Sequence, residues 1–189
     1  MSLLPPGRFT ALTLATFDAA LAQFAFTRQI TSVHLHHTWR PTRAEWRGEA
    51  SIHAMRDYHV QTNGWADIAQ HVTVAPDGSI WTGRDWNREP ASATGFNGTL
   101  AAGPFMIETV GNFDVGRDPF DGVQRAAVLG VIVHVQRRFH LPVESLKFHR
   151  QLNSPKTCPG TGIDYATTLA AVRAEHARLT AGGPAGVLA

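Results

Sequence analysis

Ile30-Thr31-Ser32-Val33-His34-Leu35-His36-His37-Thr38 is the stretch on which the fold turns. It reads as a strand of period two, with Ile, Val and Leu for a core and polar side chains for the opposite face. On that alternation His34 and His36 share one face, and His37 points the other way. A run of imidazoles at the end of a strand is a place where side chains can aim into a cleft.

Working outward, Phe17, Leu21 and Phe24 repeat at helical spacing among alanines, which predicts a helix over 16–26 with Asp18 in its first turn. A second helix is predicted over 49–60 from Ile52, Met55, Arg56 and His59, stopped by Asn63-Gly64. Residues 68–74 read as a strand, Pro76-Asp77-Gly78 as a turn, and Ile80-Trp81-Thr82 as its hairpin partner. Residues 87–103 form a long Gly-, Ala- and Ser-rich loop, a length more typical of binding sites than of plain connections. The apolar run 105–110 suits a central strand. Helices follow at 122–139 and 164–179, with Leu146-Lys147-Phe148 between them leading into His149. The expected architecture is a single α/β domain over 1–180, a twisted mixed sheet with helices on both faces, and a flexible tail at 181–189.

Composition bounds the function. A chain of 189 residues, 43% apolar and 17% charged, can bury a core and is no disordered segment. A net charge of +2 with no basic run argues against nucleic acid, although a mildly basic surface suits an anionic polymer. No apolar stretch approaches the ~20 residues of a membrane span, so no membrane insertion is expected. The N-terminal Met1-Ser2-Leu3-Leu4-Pro5-Pro6-Gly7-Arg8 has no signal-peptide pattern, so synthesis in the cytoplasm is expected, with any exported role needing another route.

The only cysteine, Cys158, lies in His149-Arg150-Gln151-Leu152-Asn153-Ser154-Pro155-Lys156-Thr157-Cys158-Pro159-Gly160. A sole cysteine forms no internal disulfide, which leaves packing, reactivity or metal binding. Two imidazole nitrogens and one thiolate would give a tetrahedral zinc ion three ligands and one open position for water.

Six segments, in order, carry a resemblance. They are Val33 to Thr38; Tyr58-His59 with Gly64-Trp65-Ala66-Asp67-Ile68; Pro76-Asp77-Gly78 with Gly83-Arg84-Asp85-Trp86; Gly95-Phe96-Asn97; Met106 to Asp114; and His149-Arg150 with Lys156 to Gly160. Over roughly residues 30–175 the chain resembles the type 2 N-acetylmuramoyl-L-alanine amidases, which share their fold with peptidoglycan-recognition proteins and amidase-type phage lysozymes. The resemblance implies zinc (Zn2+) as cofactor, held by His36, His149 and Cys158, with His34 the rival for the first ligand. It implies Lys156 as the cation that stabilises the tetrahedral intermediate. His53, His59, His134, His140 and His176 fall on predicted helices or their ends and are read as structural.

One segment departs from the family pattern. Where relatives carry a tyrosine or glutamate, Asp67-Ile68-Ala69-Gln70-His71 places Gln70, which can orient water or substrate but cannot act as a base. Either no separate base is needed, or His71 or Glu108 reaches the site, and alternation turns His71 away from the face of Gln70. Asn97 stands either against the peptide stem or in a turn. Asp67, Gly83, Arg84 and Trp86 are expected to organise the hairpin and the loop after it. The activity implied is hydrolysis of the amide between N-acetylmuramic acid and L-alanine in peptidoglycan or muropeptides, in a phage or prophage endolysin. The alternatives are a cytoplasmic muropeptide-recycling amidase, a secreted antibacterial effector, a zinc hydrolase of another amide, and a non-catalytic peptidoglycan-binding module.

Overall fold

The alternating stretch forms β2, Gln29–His37, and it lies between two parallel neighbours. One is β5, Ala102–Thr109, and the other is the short β6, Leu146–Phe148. In this computed structural model, which describes residues 8–181, they belong to a six-stranded mixed sheet. The sheet is completed by β1 (Ala11–Leu12), β3 (Val72–Val74) and β4 (Ile80–Thr82), in the order β1-β4-β3-β5-β2-β6. β3 runs parallel to β5, whereas β4 pairs antiparallel with both β3 and β1.

The two faces of this sheet differ in chemistry. Val33 and Leu35 of β2, Phe105 and Ile107 of β5, and Leu146 and Phe148 of β6 are fully buried in one apolar cluster. That cluster takes in Phe17 and Leu21 of α1 (Leu14–Gln23), Val128 and Ile132 of α3 (Gly122–Arg138), and Leu169 and Val172 of α5 (Tyr165–Ala181). Each fully buried aliphatic or aromatic side chain contributes about 1.5–3 kcal/mol. The opposite face carries His34, His36 and Glu108, and α2 (Glu49–Asp57) covers one end of it through Ile52, packed with Phe9 and Ile68. Helices therefore cover both faces, as expected.

Element boundaries moved where side chains capture the backbone. α1 starts at Leu14 because Thr13 and Thr16 form a reciprocal capping box, and it ends at Gln23, where Phe24 turns extended. Phe24 then packs against Phe26 and Trp86. α2 continues into a π-helical turn at Tyr58–Thr62 before Gly64, at φ 69°. The strand expected over 68–74 is only three residues long. Upstream of it the carbonyls of Asp67 and Ile68 accept hydrogen bonds from the Arg84 guanidinium at 2.9 and 2.7 Å, and the Ala69 N–H goes to His59 Nδ1 at 3.2 Å. β1 carried no legible signal, since two residues are too few for a period. The tail from residue 182 lies outside the described residues. Among the described residues no helix is long and apolar enough to cross a membrane.

The long loop after β4 is irregular but fastened at both ends. Asn87 accepts from Thr27 N–H at 2.7 Å and donates to the Ala25 carbonyl at 3.0 Å. Arg28, 2% exposed, sends its guanidinium to the carbonyls of Asn97, Thr99 and Pro104 at 3.1, 2.8 and 2.8 Å. Replacing Arg28 would leave three carbonyls without their donor. Arg28→Ala should lower the unfolding free energy by about 3 kcal/mol in urea titrations and speed amide exchange across 99–104.

Candidate active site

Parallel pairing of β2 with β6 aligns Leu35 with Phe148, so the residues that follow, His36 and His149, emerge side by side at one sheet edge. Their rings lie 4.4 Å apart between centroids. His149 opens the one-turn helix α4, His149–Leu152, and the chain then loops back through Cys158. The ligand atoms of His36, His149 and Cys158 all lie within 4.8 Å of one another. His36 is 2% exposed, and its Nε2 is buried without a hydrogen-bond partner. A buried ring nitrogen without a protein partner, beside a second imidazole and a thiol, is a donor set that could hold a metal ion such as zinc.

The cysteine loop is latched from behind. Arg150 donates its N–H to the Cys158 carbonyl at 2.8 Å and its guanidinium to the carbonyls of Gly160 and Ile163 at 2.7 and 2.6 Å, while lying over the Phe148 ring at 4.9 Å. Gly160, at φ 121°, sits so close to Phe113 that a Cβ would come within 2.4 Å of its backbone. The His37 N–H points at Cys158 Sγ from 3.3 Å.

Burial sets the protonation states. Desolvation first, then the neighbouring His149, His34 and His37, hold His36 well below the ordinary histidine value. Burial and the Lys156 ammonium lower His149, with Asn153 opposing. Both imidazoles are thus neutral with lone pairs to offer. The Cys158 thiol is pushed well above its ordinary range by burial and by Glu108, against pulls from the His37 N–H, Lys156 and Arg150. Coordination to a dication is the interaction that ionises a thiol in such surroundings.

A cleft of ≈ 430 Å³ opens over the cluster, and Lys156, Glu108, His37, Trp39, His59, Trp65 and Ser92 line it together with His36, His149 and Cys158. Lys156 therefore joins the cluster. Glu108 stands across from His36 in the β2–β5 register, and burial lifts its carboxyl to about 8. His34 does not join: it lies deeper on the strand, its Nε2 is 3.3 Å from Ser32 Oγ, and burial lowers it to about 4. Gln70 does not line the cleft either. It is fully buried and donates its amide to Thr73 Oγ1 at 2.8 Å, so the water-orienting role expected for it has no path to the cleft. His71 bridges strands, accepting from the Met106 N–H at 2.9 Å, with Nε2 2.9 Å from the Arg88 carbonyl; it too is turned away. Asn97 caps a turn through Oδ1 and the Ala93 N–H at 2.9 Å, and borders an adjoining hollow past Trp65. Asp67, Gly83, Arg84 and Trp86 organise the hairpin as read: Arg84 ties down 67–68 and 89, and Trp86 packs in the core.

Comparison with known proteins agrees with this geometry. Residues 26–161 match the family model described as N-acetylmuramoyl-L-alanine amidase. The chain belongs to that family. It is 31% identical over 107 residues to peptidoglycan-recognition protein SC2 of Drosophila melanogaster, covering 56% of this chain and 54% of that one. It is 27% identical over 143 residues to the endolysin of Enterobacteria phage K11, covering 74% and 87%. Among solved structures, a Drosophila PGRP-LB variant in complex with tracheal cytotoxin superposes with a TM-score of 0.61 at 25% identity, covering 74% and 80%. The chain thus spans about half the length of the fly recognition protein and most of the phage protein.

Within this amidase-family chain, sequence reasoning passed over His59, Trp39 and Trp65 as cleft residues. His59 shares the helical spacing of core positions, and its facing is set by the π turn, which leaves no periodic mark. Trp65 packs against it with ring centroids 5.0 Å apart, tilted by 37°.

Two outcomes follow from the latches and the buried imidazoles. If the cluster holds zinc, Arg150→Ala should weaken that binding about 10–100-fold in a chelator competition, as loss of a group that orients metal ligands does elsewhere. His71 is held neutral by burial, at about 3 instead of 6.5. The unfolded chain therefore binds more protons below pH 6.5, and stability falls as pH drops from 6.5 towards 3. Urea unfolding should lose about 2 kcal/mol from this residue between pH 6.5 and 5, and His71→Asn should remove that part of the slope.

Proposed function

We propose that this chain is a zinc-dependent hydrolase of the amide between N-acetylmuramic acid and L-alanine in peptidoglycan, in the setting of a phage or prophage endolysin. The observation that carries the reading is the neutral, buried pair His36–His149 with Cys158, placed beside Lys156 and Glu108 in one open cleft. The match along most of the phage endolysin supports the setting. The tracheal cytotoxin bound by the PGRP-LB variant supports a muropeptide as the cleft's occupant.

His36, His149 and Cys158 would hold the metal. Zinc bound there would supply a Lewis acid and lower the pKa of water from ~15.7 to around 7. Glu108, whose carboxylate form a cation bound beside it would favour, is the group that takes a proton from the attacking water and returns it to the leaving L-alanine nitrogen, the general-base role that Gln70 cannot fill. Lys156 stabilises the negative charge on the carbonyl oxygen, a contribution of about 2.7–4 kcal/mol for one positioned donor.

Purified protein should contain about one zinc per chain and release peptides with free N-terminal L-alanine from peptidoglycan. Cys158→Ala should lose both. Glu108→Gln should keep zinc while kcat falls about 10²–10⁴-fold. Wild-type protein that holds zinc yet releases no peptide would sink the hydrolase and leave the binding module, the second reading, which the likeness to a recognition protein supports. Full turnover in Glu108→Gln would remove the base assignment.

A further inference from the structure

Strand register brings His149 to the cluster, but it does not settle how the ring is presented. His149 opens a one-turn helix, and the χ2 torsion of an imidazole is soft and two-fold. A neutral imidazole also has two tautomers, with the proton on one nitrogen and the lone pair on the other. Only the arrangements that turn a lone pair towards His36 and Cys158 can serve a metal ion. A neighbouring group must select them.

Asn153 is placed to do so. Its main-chain N–H donates to the His149 carbonyl at 3.0 Å, and its own carbonyl accepts from the Lys156 N–H at 3.1 Å, so it ties together two groups that line the cleft. Its side-chain Nδ2 donates to the Thr94 carbonyl at 3.0 Å, in the long loop after β4. Thr94 lies in a turn closed by the Phe96 N–H on the Ala93 carbonyl at 2.8 Å and by the Ala93 N–H on Asn97 Oδ1 at 2.9 Å, which makes it a fixed acceptor. With Nδ2 committed to Thr94, the planar amide turns Oδ1 the other way. That oxygen is buried with no well-formed hydrogen bond among the described residues. A buried amide oxygen without a donor is costly, and the side chain it faces is His149. Residues four apart share one face of a helical turn, and Asn153 favours the protonated His149 ring, the effect of an acceptor on a ring N–H.

We propose that Asn153 is a positioning residue for His149: its Oδ1 takes the ring N–H and so leaves the lone pair of the other ring nitrogen to the cluster of His36 and Cys158. The bond to Thr94 makes the 87–103 loop part of the same support, because it fixes which way the amide points. The consequence for metal binding rests on the amidase reading of His149; the choice of tautomer does not.

The test reads the His149 ring by ¹⁵N NMR in full-length protein without zinc, and then zinc affinity by chelator competition, with Tm measured on every variant. Wild type should show a single His149 tautomer. Asn153→Ala and Asn153→Ser, two truncations too short to reach the ring, should show a mixture of tautomers and bind zinc about 10–100-fold more weakly. Asn153→Asp keeps an acceptor and loses the donor to Thr94. It should therefore lose Tm as the truncations do, yet hold the wild-type tautomer and bind zinc as tightly as wild type or tighter. Equal weakening of zinc binding in Asn153→Asp and Asn153→Ala is the result of a mere loop fastener and overturns the proposal. An unchanged His149 tautomer in the truncations overturns it as well. Wild type that binds no zinc, but whose single tautomer is lost on truncation, sinks only the metal reading. Wild type that binds zinc with an affinity and a tautomer indifferent to Asn153 sinks only the positioning residue.

Discussion

The parallel register of β2 against β6 is the constraint from which the site follows. Val33 and Leu35 bury against Leu146 and Phe148 on one face of the sheet, and that burial leaves no freedom to slide. A slip of one residue would send His34 and His36 into the apolar layer under α3 and lift Val33 and Leu35 into the cleft. Because the strands run the same way, their C-terminal ends reach the same edge. His36 and His149 meet there with no further device, and only Cys158 must be brought back by a loop.

Loops form most of the cleft wall, and three arginines make them rigid. Arg28, Arg84 and Arg150 each direct several guanidinium N–H groups to main-chain carbonyls, tying 97–104, 67–68 with 89, and 160–163 respectively. A planar cation with five donors can satisfy several carbonyls that no ladder reaches, a task a lysine cannot perform. The result is an irregular wall with its polar groups satisfied, and a cysteine carried at a set distance from two histidines.

Burial then divides the ionisable groups by task. It keeps the imidazoles neutral, lifts the Glu108 carboxyl to about 8 and raises the Cys158 thiol, so the interior as a whole resists charge. A cation bound there would favour the thiolate and the carboxylate together. Lys156 supplies one positive group from the exposed side of the cleft.

Much of this was legible in the sequence. The alternation around Val33 and Leu35 determined a buried strand, and the strongly apolar run 122–139 determined the helix beneath it, which is buried continuously from Ala127 to Val133. That His36, His149 and Cys158 would come together was implied by the family resemblance, and their ligand atoms do lie within 4.8 Å of one another. Other features arose only in three dimensions. β3 lost half its expected length to contacts from Arg84 and His59, residues distant along the chain. Gln70 turned inward to Thr73, Glu108 came to face the cleft through its register with His36, and Trp39 was held out by bonds to the end of β5. A sequence by itself determines which side chains seek a core and which can carry chemistry. Which polar groups meet in one cleft is decided by strand register and by long-range hydrogen bonds, and these leave no period along the chain.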